Sequence, residues 1–83
     1  MAVKFLKESD KFKRTFGKLD IEMQRRVEKL IQKIIISPEI GKPMMYERKG
    51  TREVYLKPLR FSYSYSVEED KITLLNLYHK RMQ

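Results

Sequence analysis

Between Arg60 and Val67 the chain alternates without a break. Phe61, Tyr63, Tyr65 and Val67 are apolar or aromatic, and Arg60, Ser62, Ser64 and Ser66 are polar. A period of two is that of a β-strand with one packed face and one polar face. Glu68 to Lys71 is a polar break, and Ile72 to Tyr78 is a second strand-like run. The two runs predict a hairpin that delivers His79, Lys80 and Arg81 at its end. Thr51 to Lys57 alternates too, with Val54 and Leu56 on one face and Glu53 and Tyr55 on the other. Pro58 interrupts that strand ahead of Arg60. Ala2 to Lys7, with Val3 and Phe5 on one side and Lys4 on the other, reads as an opening strand.

Two stretches change period. Phe12, Phe16 and Leu19 recur at helical spacing behind Ser9, whose hydroxyl suits an N-cap, and Asp10 sits where the helix dipole favours a negative charge. Gly17 is predicted to end this helix in the left-handed conformation that glycine tolerates. Asp20 then caps a second helix with an apolar stripe of Met23, Val27, Leu30, Ile31, Ile34 and Ile35. Arg25, Arg26, Lys29 and Lys33 line its other side, read as a solvated face. Ser37-Pro38 closes it, because a residue before proline is pushed out of helical geometry. The short link between the helices predicts an antiparallel pair. Glu39 to Gly50, punctuated by Gly-Lys-Pro and Lys-Gly, reads as a loop with a short turn.

The order is therefore β-α-α-β-β-β, an α+β chain. One helix pair covers one face of a small, antiparallel-rich twisted sheet and leaves the other face open. At 83 residues, residues 1–83 are expected to form one domain with one thin core. Tyr63 and Tyr65 continue the packed face of their strand and are expected to meet the helices. The serines are expected to line the open face and leave room for a ligand.

Charge gives that open face a partner. Nineteen Lys and Arg against eleven Asp and Glu give a net charge of +8, which favours nucleic acid or an acidic protein. No cysteine is present, which removes disulfides and thiolate metal sites and fits a cytoplasmic protein. No run is long and apolar enough for a membrane span, and the N-terminal residues lack a signal peptide's apolar stretch. One histidine and scattered carboxylates give neither metal-ligand spacing nor a Ser-His-acid arrangement, so neither a metal nor another cofactor is expected. The remaining chemistry lies with Arg60, a bidentate phosphate ligand by geometry, and with His79, suited to proton transfer near neutral pH.

Taken together, several segments resemble the RelE/ParE toxin superfamily. They are the strand and helix pair, Ser37-Pro38 with Gly41-Lys42-Pro43, and the strand Arg52-Glu53-Val54-Tyr55. Leu59-Arg60-Phe61-Ser62-Tyr63 and the ending Leu77-Tyr78-His79-Lys80 complete the likeness. The resemblance implies a RelE-like toxin of a type II toxin–antitoxin system, an mRNA interferase that enters the ribosomal A site. Its reaction is metal-independent attack of a 2′-OH on the adjacent phosphate. It implies Arg60, His79 and Lys80 as catalytic residues, Arg52, Tyr55, Lys57 and Arg81 as RNA-binding residues, and a cognate antitoxin, with heterotetramers among the assemblies allowed. RelE-like nucleases also carry a basic pair on the strand before the arginine and a tyrosine beyond the terminal cluster. Here Glu53 and Tyr55 occupy that strand face, and the sequence stops at Gln83. Tyr55 is the residue placed to stack on a base or assist proton transfer. The alternatives are a ParE-like gyrase inhibitor of the same fold and a non-catalytic basic module that binds nucleic acid or protein.

Overall fold

The computed structural model describes residues 3–79. Strand β1 (Phe5–Glu8) leads into helices α1 (Asp10–Gly17) and α2 (Ile21–Ile36). After α2 come β2 (Lys42–Pro43), a 3-10 turn (Tyr46–Arg48), β3 (Thr51–Leu56), β4 (Leu59–Ser66) and β5 (Lys71–His79). The strands lie in the order β1-β5-β4-β3-β2. β1 runs parallel to β5 and every other neighbour pair is antiparallel. The architecture is the α+β arrangement expected, with the first and last strands side by side.

Three details of the expectation change. The opening strand, expected over Ala2 to Lys7, forms as Phe5–Glu8 with exposed side chains. The 39–50 segment is more than a loop with a short turn: beside the 3-10 turn it adds the short strand β2. Gly17 does end α1, but its φ is not positive, and Lys18 closes the helix in right-handed geometry. Capping needs no left-handed residue there, because the Lys18 N–H reaches the carbonyls of Thr15 and Phe16. Both predicted N-caps form, with Ser9 accepting from the Phe12 N–H and Asp20 from the Met23 N–H.

The core lies between the helices and one sheet face. Phe12, Val27, Leu30, Ile31 and Ile34 from the helices meet Phe61, Tyr63, Ile72, Leu74 and Leu77 from β4 and β5. Phe12 stands edge-on to Phe61 at 5.4 Å between ring centroids, and Phe61 edge-on to Tyr63 at 6.3 Å, an arrangement aromatic quadrupoles favour. Tyr63 therefore packs inward. Its hydroxyl donates to the Pro38 carbonyl at 2.6 Å and accepts from the Gly41 N–H at 3.0 Å, fastening the segment after α2 to the core.

A bulge in β5 decides what the other face displays. Ser62 pairs with Asn76 while Tyr63 pairs with Leu74, so Leu75 is the extra residue. A bulge shifts the alternation by one. Before it, Ile72 and Leu74 face the core; after it, Leu77 does. Asn76 and Tyr78 consequently join the open face.

Ser9 holds this irregularity in place. Its hydroxyl caps α1 and also donates to the Leu75 carbonyl at 2.7 Å. Ser9→Ala removes both bonds, and denaturant unfolding should register a loss of about 1–2 kcal/mol. Ser9→Thr, which keeps the hydroxyl, should retain most of it. Equal midpoints for Ser9→Ala and wild type would refute this role.

Candidate functional site

The polar face presents two rows of side chains. Tyr55, Arg60 and Tyr78 lie across β3, β4 and β5 in one row, and Glu53, Ser62 and Asn76 in the next. Glu53 is the centre. Its side chain is 4% exposed although it lies on the face away from the helices. A carboxylate is retained out of water only when paired and hydrogen-bonded, and here three groups serve it. Arg48 from the 3-10 turn and the Tyr78 hydroxyl both donate to its Oε2, and Arg60 Nη1 stands 3.4 Å from Oε1.

The arginines are held on aromatic rings as well. The Arg60 guanidinium lies 5.7 Å from the Tyr55 ring centroid, and that of Arg48 lies 5.8 Å from the Tyr78 centroid, within cation–π range. Arg48 also donates to the Tyr78 hydroxyl at 3.0 Å. The Tyr78–Glu53 bond bridges β5 to β3 across β4, and Ser62 between them is buried. The face is therefore paved at its middle, where small serines were expected to leave space.

Two cations against one carboxylate leave the cluster net positive. Arg60 is only loosely engaged: its one carboxylate contact among the described residues is long and its side chain is 30% exposed, although its Nε is buried and has no hydrogen-bond partner there. A guanidinium so placed can take an anion in bidentate fashion. Next to it, a groove of about 720 Å³ is lined by Lys11 and Thr15 of α1, Arg48, Leu59 and β5 from Asn76 to His79. It opens along β5 where β1 has ended, since β1 pairs with β5 only as far as Leu74.

The residues singled out from the sequence divide into three groups. Arg60 and Tyr55 stand together on the polar face, and Lys57 is exposed at the turn between β3 and β4. Arg52 and His79 do not join them. Arg52 pairs with Tyr63 on the helix side and donates to the carbonyls of Glu39 and Gly41. His79 pairs with Leu59, also on the helix side, because the Leu75 bulge turns Tyr78 rather than His79 toward Arg60. It lines the groove from the opposite wall to Tyr78. Lys80 and Arg81 lie outside the described residues.

Sequence reasoning missed Arg48 and Tyr78 and read Glu53 only as a departure from a basic pattern. A lone glutamate inside an alternating strand, on the face that carries Arg60, was the available signal. Among the described residues no three His, Asp or Glu side chains gather as a metal site, and no helix is long and apolar enough to cross a membrane.

No protein-family model matches the sequence, and no curated protein matches it either. Solved structures do match. A chain of the toxin–antitoxin complex RelBE2 from Mycobacterium tuberculosis superposes with a TM-score of 0.85 at 20% identity, over 96% of this chain and 100% of that one. The fold is that of the RelE toxins. The intact RelBE toxin–antitoxin complex of E. coli gives 0.78 at 16% identity, over 90% of this chain and 94% of its own. A YoeB/ParE toxin from Agrobacterium tumefaciens gives 0.81 at 15%, covering 92% and 98%. The RelE-type fold thus spans nearly the whole chain, while few of its residues are shared.

Proposed function

We propose that this chain is the toxin of a type II toxin–antitoxin pair and that it cleaves ribosome-bound mRNA without a metal. The observation that carries the reading is Arg60, a partly exposed guanidinium with one long ion pair, in a net-positive cluster on the polar face. The RelE-type fold and the charge of +8 support it.

In the proposed reaction a 2′-oxygen bonds to the adjacent phosphorus as the bond to the 5′-oxygen breaks, leaving a cyclic phosphate and a 5′-OH. Arg60, with Arg48 beside it, holds the phosphate oxygens as negative charge builds on them. The Tyr78 hydroxyl, bonded to Glu53, takes the 2′-OH proton while passing its own to the carboxylate. His79 on the far wall of the groove, with Lys80 next in sequence, protonates the departing 5′-oxygen. Tyr55 and Lys57 receive the flanking nucleotides, and Arg52 and Arg81 strengthen the general attraction. An acidic or amphipathic antitoxin covers the same face.

Expression should arrest growth, and primer extension should find breaks in translated mRNA at the ribosomal A site. Purified protein with untranslated mRNA should yield none. One observation favours a second reading: Glu53 sits where RelE-like nucleases carry basic residues. Growth arrest with intact mRNA and inhibited gyrase supercoiling would replace the nuclease by a ParE-like gyrase inhibitor.

A further inference from the structure

The turn that carries Arg48 has a second feature. Tyr46 opens it with φ of 60°, in the left-handed region that a bulky side chain enters only at a cost. Its ring gains no burial in return: Tyr46 is 88% exposed and the preceding Met45 is 70% exposed. A tyrosine held in a strained backbone and pointed at solvent does nothing for the fold that asparagine or glycine would not do better.

The turn is not loose. The Met44 N–H donates to the Thr51 carbonyl, the Thr51 hydroxyl to the Arg48 carbonyl, and the Lys49 N–H to the Tyr46 carbonyl. Arg48 then pins it to Glu53 and Tyr78 on the sheet. The result is a rigid turn with one residue in the cationic cluster and a free aromatic ring two residues earlier. Tyr55, 55% exposed, presents another ring from the sheet itself, beneath Arg60. Cations flanked by exposed aromatic rings are what a single nucleic-acid strand requires, with phosphates on the arginines and bases on the rings.

We infer that the Met45–Arg48 turn is a nucleotide-binding element: Arg48 contacts a backbone phosphate, and the Tyr46 ring stacks on the base of a neighbouring nucleotide of single-stranded RNA. The inference rests on the RNA reading of the site. It adds an aromatic contact that strengthens binding of any base placed there.

The test uses the full chain and a 2′-O-methylated single-stranded oligonucleotide, which binds but offers no attacking hydroxyl. Tyr46→Asn keeps the left-handed backbone and removes the ring; Tyr46→Phe keeps the ring. Anisotropy titration should show about 5- to 30-fold weaker binding for Tyr46→Asn and no change for Tyr46→Phe. The salt slope of Tyr46→Asn should match wild type, whereas Arg48→Ala should lower it by about one. Melting temperatures should be unchanged or higher for Tyr46→Asn, so lost binding cannot be lost fold. Wild-type affinity in Tyr46→Asn overturns the inference, as does absence of binding by the wild-type chain. Unaltered RNA affinity with weakened binding to an acidic protein partner overturns it in favour of that partner. Weakened binding by Tyr46→Asn together with no mRNA cleavage by wild type would sink the nuclease reading and leave the turn's RNA contact standing.

Discussion

Arg60→Ala lowers cleavage of ribosome-bound mRNA by about 10²- to 10³-fold on the proposed reading, and it barely moves the melting temperature. The two halves of that expectation have separate grounds. The catalytic loss follows because a phosphate gaining charge during attack needs donors already in place, and Arg60 is a partly exposed guanidinium held on this face by one long ion pair and the Tyr55 ring. The small folding effect follows from what Arg60 does in the absence of ligand. Its contact with Glu53 is 3.4 Å long and partly exposed to water, and such ion pairs contribute on the order of 0–1 kcal/mol. Glu53 would still receive Arg48 and Tyr78. Arg60→Lys keeps the charge but not the planar fork, so it should restore only part of the rate. Single-turnover cleavage beside thermal melts decides the matter. A wild-type rate in Arg60→Ala removes the residue from the site.

Glu53 explains how two arginines come to stand so close on one face. Like charges at short range repel, and a buried carboxylate between them offsets that repulsion while fixing both guanidinium groups from below. The same carboxylate reaches Tyr78 and so ties three strands and the 3-10 turn to one point. Glu53, read from the sequence only as a departure from an expected basic pair, is thus the residue that organises this face.

Much of the fold was legible because period and punctuation agree. The alternation after Arg60 and the caps Ser9 and Asp20 ahead of helical stripes place β4, α1 and α2, although Val67 falls beyond β4 and is exposed. Strand β2 was not legible, since two residues carry no period and its pairing with β3 depends on the chain doubling back. The site was half legible for one local reason. Continued alternation from Ile72 would turn Tyr78 into the core and His79 outward toward Arg60. The extra residue Leu75 reverses this, and nothing in the run Ile72-Thr73-Leu74-Leu75-Asn76-Leu77-Tyr78 marks which leucine is surplus. Arg48 was hidden differently: it lies in a segment without periodicity, and only tertiary packing brings it to Glu53.

Tyr63→Ala is the substitution expected to damage the fold most. The ring is fully buried between Phe61 and the segment after α2, and removing such a ring costs about 3–5 kcal/mol. A small domain has roughly 5–15 kcal/mol in total, so this variant should be largely unfolded well below the wild-type midpoint. Tyr63→Phe separates the hydroxyl from the ring. It leaves the Gly41 N–H and the Pro38 carbonyl without their partner, a loss of about 1–3 kcal/mol. The contact is close because residue 41 is glycine: a Cβ there would lie 2.7 Å from the Tyr63 oxygen. Burial also raises the Tyr63 phenol above its ordinary 10.0, against smaller opposing effects of the Gly41 hydrogen bond and the Arg52 charge. The folded chain therefore holds this proton more tightly than the unfolded chain does. Its contribution is complete below pH 10.0 and is lost as pH rises toward the folded value. Urea midpoints followed from neutral pH into the alkaline range should fall more steeply for wild type than for Tyr63→Phe. Parallel alkaline curves for the two would mean that the buried hydroxyl is not what fastens the 38–41 segment to the core.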